Sequence, residues 1–304
     1  MSFVTTLDSF QTDKLRDELE KRGFVFSYPD HMVFCAKNSG ISCSLYLSGK
    51  LVIQGKEKQD FIEFFLEPEI LKSFSQTLPE SELDLRPRIG VDESGKGDFF
   101  GPLCIAGVFA DNEKIVSLLH KNSIRDSKKI GDASILKLAK IIKESCIYEV
   151  VRIEPEKYNL LYDKFRNLNE LLAWGHAKII EKLESKICSH GVFAISDKFA
   201  DENVLIKALK NKNISIPVYQ KVRAESDVVV AAASILSRED FILSIKKLEK
   251  IHGLVLPKGA GSTVKNQAVR IAFERGYETL QKVCKRHFKT YDEITDILET
   301  QKGK

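Results

Sequence analysis

The sequence predicts an α/β domain, with helices laid over a mixed sheet, preceded by a small α+β unit. Three observations lead there. Beyond residue 88, short apolar runs rich in Val, Ile and Ala alternate with amphipathic stretches of helical length, as strands and helices do along one sheet. Before residue 75, a helix-like stretch, a set of closely spaced strand-like runs and a second helix-like stretch follow one another. Between the two, residues 75–88 carry two prolines and mixed charge and read as a connector. The expected division is a small α+β domain over 1–75, a linker over 76–87 and a larger α/β domain over 88–304.

Taken in order, Leu7, Phe10, Leu15, Leu19 and Phe24 fall near helical spacing and predict a helix over 7–23, stopped by Gly23. Strands are predicted over 24–28, 31–36, 41–47 and 51–54, separated by Pro-Asp, Asn-Ser-Gly and Ser-Gly-Lys turns. A helix over 58–74 presents Phe61, Phe64, Phe65 and Leu71. One face of this sheet is then covered and the other left open. In the larger part, strands are predicted at 89–91, 103–110, 147–153, 192–195 and 216–222. Helices are predicted at 113–120, 133–145, 167–189 and 228–236, and a basic loop at 125–129. Ligands of such sheets gather at strand ends.

The chemistry concentrates in Arg88 to Pro102, RIGVDESGKGDFFGP. An apolar run ends on adjacent carboxylates, Asp92 and Glu93, and Ser94-Gly95-Lys96-Gly97 follows. Neighbouring side chains of a strand point to opposite faces, so both acids serve one site only if the chain turns there. The glycines permit that turn and let backbone amides approach a phosphate or sugar oxygen. An acidic surface turn is the plain alternative. Gly90, Gly95 and Lys96 also match most of a P-loop, but Gly97 stands where Ser or Thr must hold magnesium, and the two acids would sit inside the phosphate cradle.

Composition narrows the classes further. A chain of 304 residues with 43% hydrophobic content is long enough for two buried cores. Residues 1–85 hold 9 Lys+Arg against 14 Asp+Glu, a balance of −5, which leaves +9 on the remainder, so a basic surface belongs to the C-terminal part. The six cysteines show no C-x-x-C spacing, which fits a reduced, cytoplasmic protein. No apolar run is long enough to span a bilayer. The six histidines lack zinc spacing and read as surface or packing residues, and no G-x-S-x-G supports a serine nucleophile.

A third acid, Asp197, follows the apolar strand 192–195, and Glu225 and Asp227 stand at the start of the helix 228–236. Asp227 has an ordinary reading as a helix-capping acid, which leaves Glu225 available. Like charges at several strand ends need a reason to converge, and a divalent metal supplies one.

These residues resemble a known family. The motifs D-E-S-G-K-G-D-F-F-G-P-L from Asp92, D-S-K-K from Asp126, S-D-K-F-A from Ser196, and A-E-S followed by A-A-A-S-I-L-S-R from Ala224 are together similar to bacterial ribonuclease HIII, within the type-2 ribonuclease H group. Gly-Lys-Gly in place of Gly-Arg-Gly, and Glu225 where type-II relatives carry Asp, favour type III. The resemblance covers nearly the whole chain; residues 290–304 contribute least.

The resemblance implies a ribonuclease H-like mixed sheet and a TATA-binding-protein-like N-terminal domain. It implies a metal site of Asp92, Glu93, Asp197 and Glu225 for Mg2+ or Mn2+, a backbone-contacting loop of Ser94, Gly95, Lys96 and Gly97, and a substrate-side basic loop that includes Lys128 and Lys129. The activity implied is endonucleolytic hydrolysis of the RNA strand of an RNA/DNA hybrid, leaving 5′-phosphate and 3′-hydroxyl ends, by a monomer. The alternatives are incision at single ribonucleotides in duplex DNA and binding without catalysis; clustered acids beside phosphate would not help a pure binder. One feature pulls the other way: the N-terminal unit expected to hold the duplex is net acidic, although Lys37, Lys50, Lys56 and Lys58 lie near its sheet turns.

Overall fold

The computed structural model describes residues 2–71, 84–122, 124 and 130–302. Two compact units divide the chain, Met1–Asp84 and Leu85–Lys304. Most of the expected linker, and Lys128 and Lys129 in the basic loop, lie outside the described residues.

In the first unit, β1 (Phe3–Thr6), β2 (Val25–Ser27), β3 (Met32–Asn38), β4 (Ile41–Tyr46) and β5 (Lys50–Gly55) form an antiparallel sheet in the order β1-β5-β4-β3-β2. Period-two alternation is plain in β4, where Ile41, Cys43 and Leu45 are buried and Ser42, Ser44 and Tyr46 are half-exposed. Helix α1 (Ser9–Lys21) begins with a capping box between Asp8 and Gln11 and lays Leu15 and Leu19 on that covered face. The second helix differs from expectation. α2 (Lys58–Phe61) passes at once into a wider π-helical coil over Ile62–Leu71 with Pro68 inside it. Proline has no N–H to give an α-helical ladder, so the coil loosens where the apolar periodicity predicted a plain α-helix. β1 was not expected, because four residues, FVTT, carry too little pattern to be told from a leader into α1.

The second unit is built on a mixed sheet in the order β10-β9-β6-β7-β8. Its strands are β6 (Arg88–Ser94), β7 (Leu103–Ala110), β8 (Ile147–Ile153), β9 (Phe193–Asp197) and β10 (Val218–Lys221). β6, β9 and β10 run parallel, while β7 and β8 are antiparallel to their neighbours. β7 is buried at all eight positions, as a central strand covered on both faces must be.

One face carries α8 (Val228–His252) with α3 (Glu113–Lys121) and α4 (Asp132–Ser145). The other carries α6 (Leu168–Glu184) with α5 (Pro155–Phe165) and α7 (Glu202–Lys210). α9 (Ser262–Arg275), α10 (Tyr277–Val283) and α11 (Lys289–Lys302) enclose Phe99 and Phe100 in a further cluster. Gly90 sets how closely α8 lies on the sheet: a Cβ there would stand 2.3 Å from the backbone of Val229.

Several boundaries depart from the sequence reading. α8 runs on from Leu236 to His252, because Phe241, Ile242 and Ile245 continue its buried stripe. α6 stops at Glu184 rather than 189, and α5, α7 and α9 to α11 are additional. No described helix is long and apolar enough to cross a membrane.

Candidate active site

The site begins with strand register. β6 and β9 pair in parallel, Val91 opposite Ser196, so the next step along both strands sets Asp92 beside Asp197. Neighbouring strands lie ~4.8 Å apart, which brings the two acids together at the carboxyl edge of the sheet. Alternation fixes their direction. Gly90 faces α8, so Asp92, two residues on, faces α8 as well.

Asp197 accepts a hydrogen bond on Oδ1 from the Ala224 amide at 3.2 Å, and Ala224–Ser226 form the 3₁₀ turn that leads into α8. Glu225 stands on that turn, half-buried, between the left-handed Arg223 (φ 56°) and the helix start. Thus Asp92, Asp197 and the Glu225 turn meet on the α8 side.

Glu93 does not follow them. The chain was expected to turn at the acid pair, but β6 continues through Ser94 and turns only at Gly95 (φ 86°), where a Cβ would lie 2.3 Å from the Pro102 carbonyl. Alternation therefore sends Glu93 toward α6. There Oε2 lies 3.0 Å from Nε2 of His176, and Oε1 accepts from Lys96 Nζ at 2.7 Å. Burial alone would push this carboxyl up; the hydrogen bond and charge of His176, then Lys96, outweigh it and hold the group well below the usual carboxylate range. His176 is fully buried, so its reading as a packing or surface residue is corrected: it is a buried hydrogen-bonding partner of an acid. Its only sequence signal is a polar residue inside the apolar stripe of α6.

Asp227 has a different role from Glu225. Its Oδ1 accepts from the Val229 amide at 2.9 Å and caps α8, while Oδ2 accepts from Nε of the buried Arg88 at 2.8 Å.

The Ser94–Gly97 loop is pinned from behind by Asp98, Gly259 and Lys285, of which sequence reasoning missed Lys285. Asp98 Oδ1 accepts from the Gly259 amide at 2.6 Å, and the Phe99 amide donates to the Gly259 carbonyl at 2.9 Å. Lys285, fully buried, donates from Nζ to the carbonyls of Asp98 and Gly101 at 2.8 and 2.7 Å. Burial lowers its pKa from 10.5 to about 8, against the opposing pull of Asp98 and the nearby thiols.

Lys285→Met strands those carbonyls and should cost about 2–3 kcal/mol in thermal or urea unfolding. The sign with pH is set by the lowered pKa: the unfolded lysine holds its proton up to 10.5, so the wild-type gains stability between pH 8 and 10.5. The gap to the Met variant should widen over that window.

Asp92, Asp197, Glu225 and Glu93 offer only carboxylate oxygens, the donors a hard divalent cation such as Mg2+ or Mn2+ takes. Among the described residues no three His, Cys, Asp or Glu side chains are grouped closely enough to hold a metal ion.

The family model described as Ribonuclease HII matches residues 89–291, and one described as a domain of unknown function, DUF3378, matches residues 2–78. Ribonuclease HIII of Chlamydia felis is 57% identical over 295 residues, 97% of each chain. That of Chlamydia pneumoniae is 55% identical over 293 residues, 96% of this chain and 97% of its own. Among solved structures, Bst-RNase HIII in complex with Mn2+ superposes with a TM-score of 0.67 at 28% identity, covering 98% of this chain and 99% of that one. The chain belongs to the ribonuclease HII family, in its ribonuclease HIII branch.

Proposed function

We propose that this enzyme hydrolyses the RNA strand of RNA/DNA hybrids at a divalent-metal site formed by Asp92, Glu93, Asp197 and Glu225, leaving 5′-phosphate and 3′-hydroxyl ends. The observation that carries the reading is the parallel register of β6 and β9, which sets two acids side by side where charge repulsion otherwise forbids it. When bound, Mg2+ or Mn2+ supplies charge neutralisation at the scissile phosphate and an activated water.

The residues do the rest. The amides of Gly95 and Gly97 and the Lys96 ammonium bind the sugar-phosphate backbone. Ser94 and the glycines, being small, let the 2′-OH be read closely. Lys285 and Asp98 keep the loop in one shape before substrate arrives. Lys128 and Lys129 would add substrate contacts. Cleavage of matched hybrid, RNA duplex and single-ribonucleotide substrates with each metal tests the assignment. Efficient cutting only at single ribonucleotides would overturn it.

The first unit would hold the duplex on its open sheet face. Ser42, Ser44 and Tyr46 point there, and Lys37, Lys50 and Lys56 are exposed near its edges. A chain of residues 85–304 is expected to keep the chemistry and lose affinity for hybrid by at least about tenfold, with a shallower salt dependence because fewer phosphates are contacted. Equal Kd for the truncated and full chains at one salt would remove this role. The working form we infer is a cytoplasmic monomer; all six cysteines are free thiols, five of them buried, which supports a reducing compartment.

A further inference from the structure

α6 carries one polar ring into the core. His176 lies among the buried Leu172, Ala173, Ala177, Ile179 and Ile180, where an imidazole is costly unless both nitrogens are partnered. Both are. Nε2 stands 3.0 Å from Glu93 Oε2, and since an ionised carboxylate only accepts, Nε2 carries the hydrogen. Nδ1 stands 3.1 Å from Ser196 Oγ, and that hydroxyl in turn lies 3.0 Å from the Asp197 carbonyl. Phe199 packs on the ring at 4.8 Å between centroids and limits its rotation. One imidazole therefore ties together, from behind the sheet, the two strand ends that carry Asp92 and Asp197. It also grips the one acid of the four that the pleat directs to the α6 side.

We propose that His176 is a positioning residue of this enzyme: by holding Glu93 Oε2 and Ser196 at once, it fixes the Glu93 carboxylate at the end of β6 and, with it, the register of the two strand ends that carry Asp92 and Asp197. The proposal rests on the reading of Glu93 as a metal ligand. Lys96 does not substitute for this grip, because its side chain is 43% exposed and belongs to the loop that meets phosphate, whereas His176 is enclosed. A partner behind a metal-binding carboxylate commonly carries 10–100-fold in metal affinity.

The test measures Mn2+ affinity by electron paramagnetic resonance of the free ion, with no nucleic acid present, for the wild type, His176→Leu, His176→Gln and Glu93→Gln. Hybrid KM and kcat are measured beside it. His176→Leu should weaken Mn2+ binding at least about tenfold and lower kcat at limiting metal, with hybrid KM within about twofold. His176→Gln, whose amide N–H can still donate to Glu93, should recover part of the affinity; a structural packing role would not discriminate in this way. Glu93→Gln should weaken Mn2+ at least as much as His176→Leu. Unchanged affinity in Glu93→Gln sinks the ligand reading itself. Lost affinity there with unchanged affinity in His176→Leu overturns the positioning role alone. Should the Leu variant fail to fold, the wild type decides: the His176 Nε2 resonance in nitrogen-15 spectra should move on saturation with Mg2+, and an unmoved signal overturns the proposal.

Discussion

Asp92→Asn is expected to lower kcat on an RNA/DNA hybrid by at least about a thousandfold, roughly 4 kcal/mol of barrier, while hybrid Kd stays within about threefold. The side chain is nearly isosteric, and the strand around it is held by backbone pairing of Asp92 with Ala106, so the sheet has no reason to move. What changes is one negative charge at the point where β6 and β9 bring two acids together. An amide oxygen is a poorer ligand for a hard cation than a carboxylate, so the site loses metal. The phosphate backbone, relieved of a nearby charge, binds as well or slightly better. Single-turnover cleavage and a binding isotherm at one salt concentration, the latter without metal, separate the two effects. Normal cleavage by the variant would remove Asp92 from the catalytic group.

Much of this was legible in the sequence because the informative signals are local. Ile89-Gly90-Val91 and residues 192–195 are short apolar runs that end on acids, and both became strands of the central sheet. The Gly-Lys-Gly loop announced a tight turn, and Gly95 makes it. What stayed hidden depends on partners far apart in the chain. Glu93 and His176 are 83 residues apart, and Lys285 and Asp98 are 187 apart. No spacing rule links such pairs; only the packing of α6 on the sheet and the return of the C-terminal helices bring them together.

The turn expected at Asp92-Glu93 failed for a related reason. Glycines mark where a chain is able to turn, whereas pairing to β7 through Ser94 and Cys104 decides where it does. In the first unit, β1 gains its definition from pairing with β5 rather than from its own four residues.

Glu225→Gln and Asp227→Asn are expected to fail in opposite ways, and the structure sharpens both expectations. Glu225 sits on the 3₁₀ turn whose Ala224 amide binds Asp197, so its turn lies at the same sheet edge as Asp197. The capping of α8 falls to Asp227 instead. Removing the Glu225 charge should lower cleavage by at least about a hundredfold, about 2.7 kcal/mol, with the melting temperature almost unchanged.

Asp227 is bound twice into the fold. One oxygen caps α8 and the other meets Arg88, which is 1% exposed. Asparagine is as good a cap as aspartate, so the helix-dipole argument alone would predict a small loss. Arg88 changes that. An amide has one acceptor oxygen where the carboxylate has two, so either the cap or the guanidinium loses its acceptor in a buried setting. The expected cost is about 2–3 kcal/mol, or a fall of roughly 5–10 °C for a unit of this size, with near-normal cleavage below the transition. Rates at saturating Mg2+ and melting curves of the two purified variants settle the assignment: an inactive but stable Asp227→Asn protein would transfer the fourth ligand from Glu225 to Asp227.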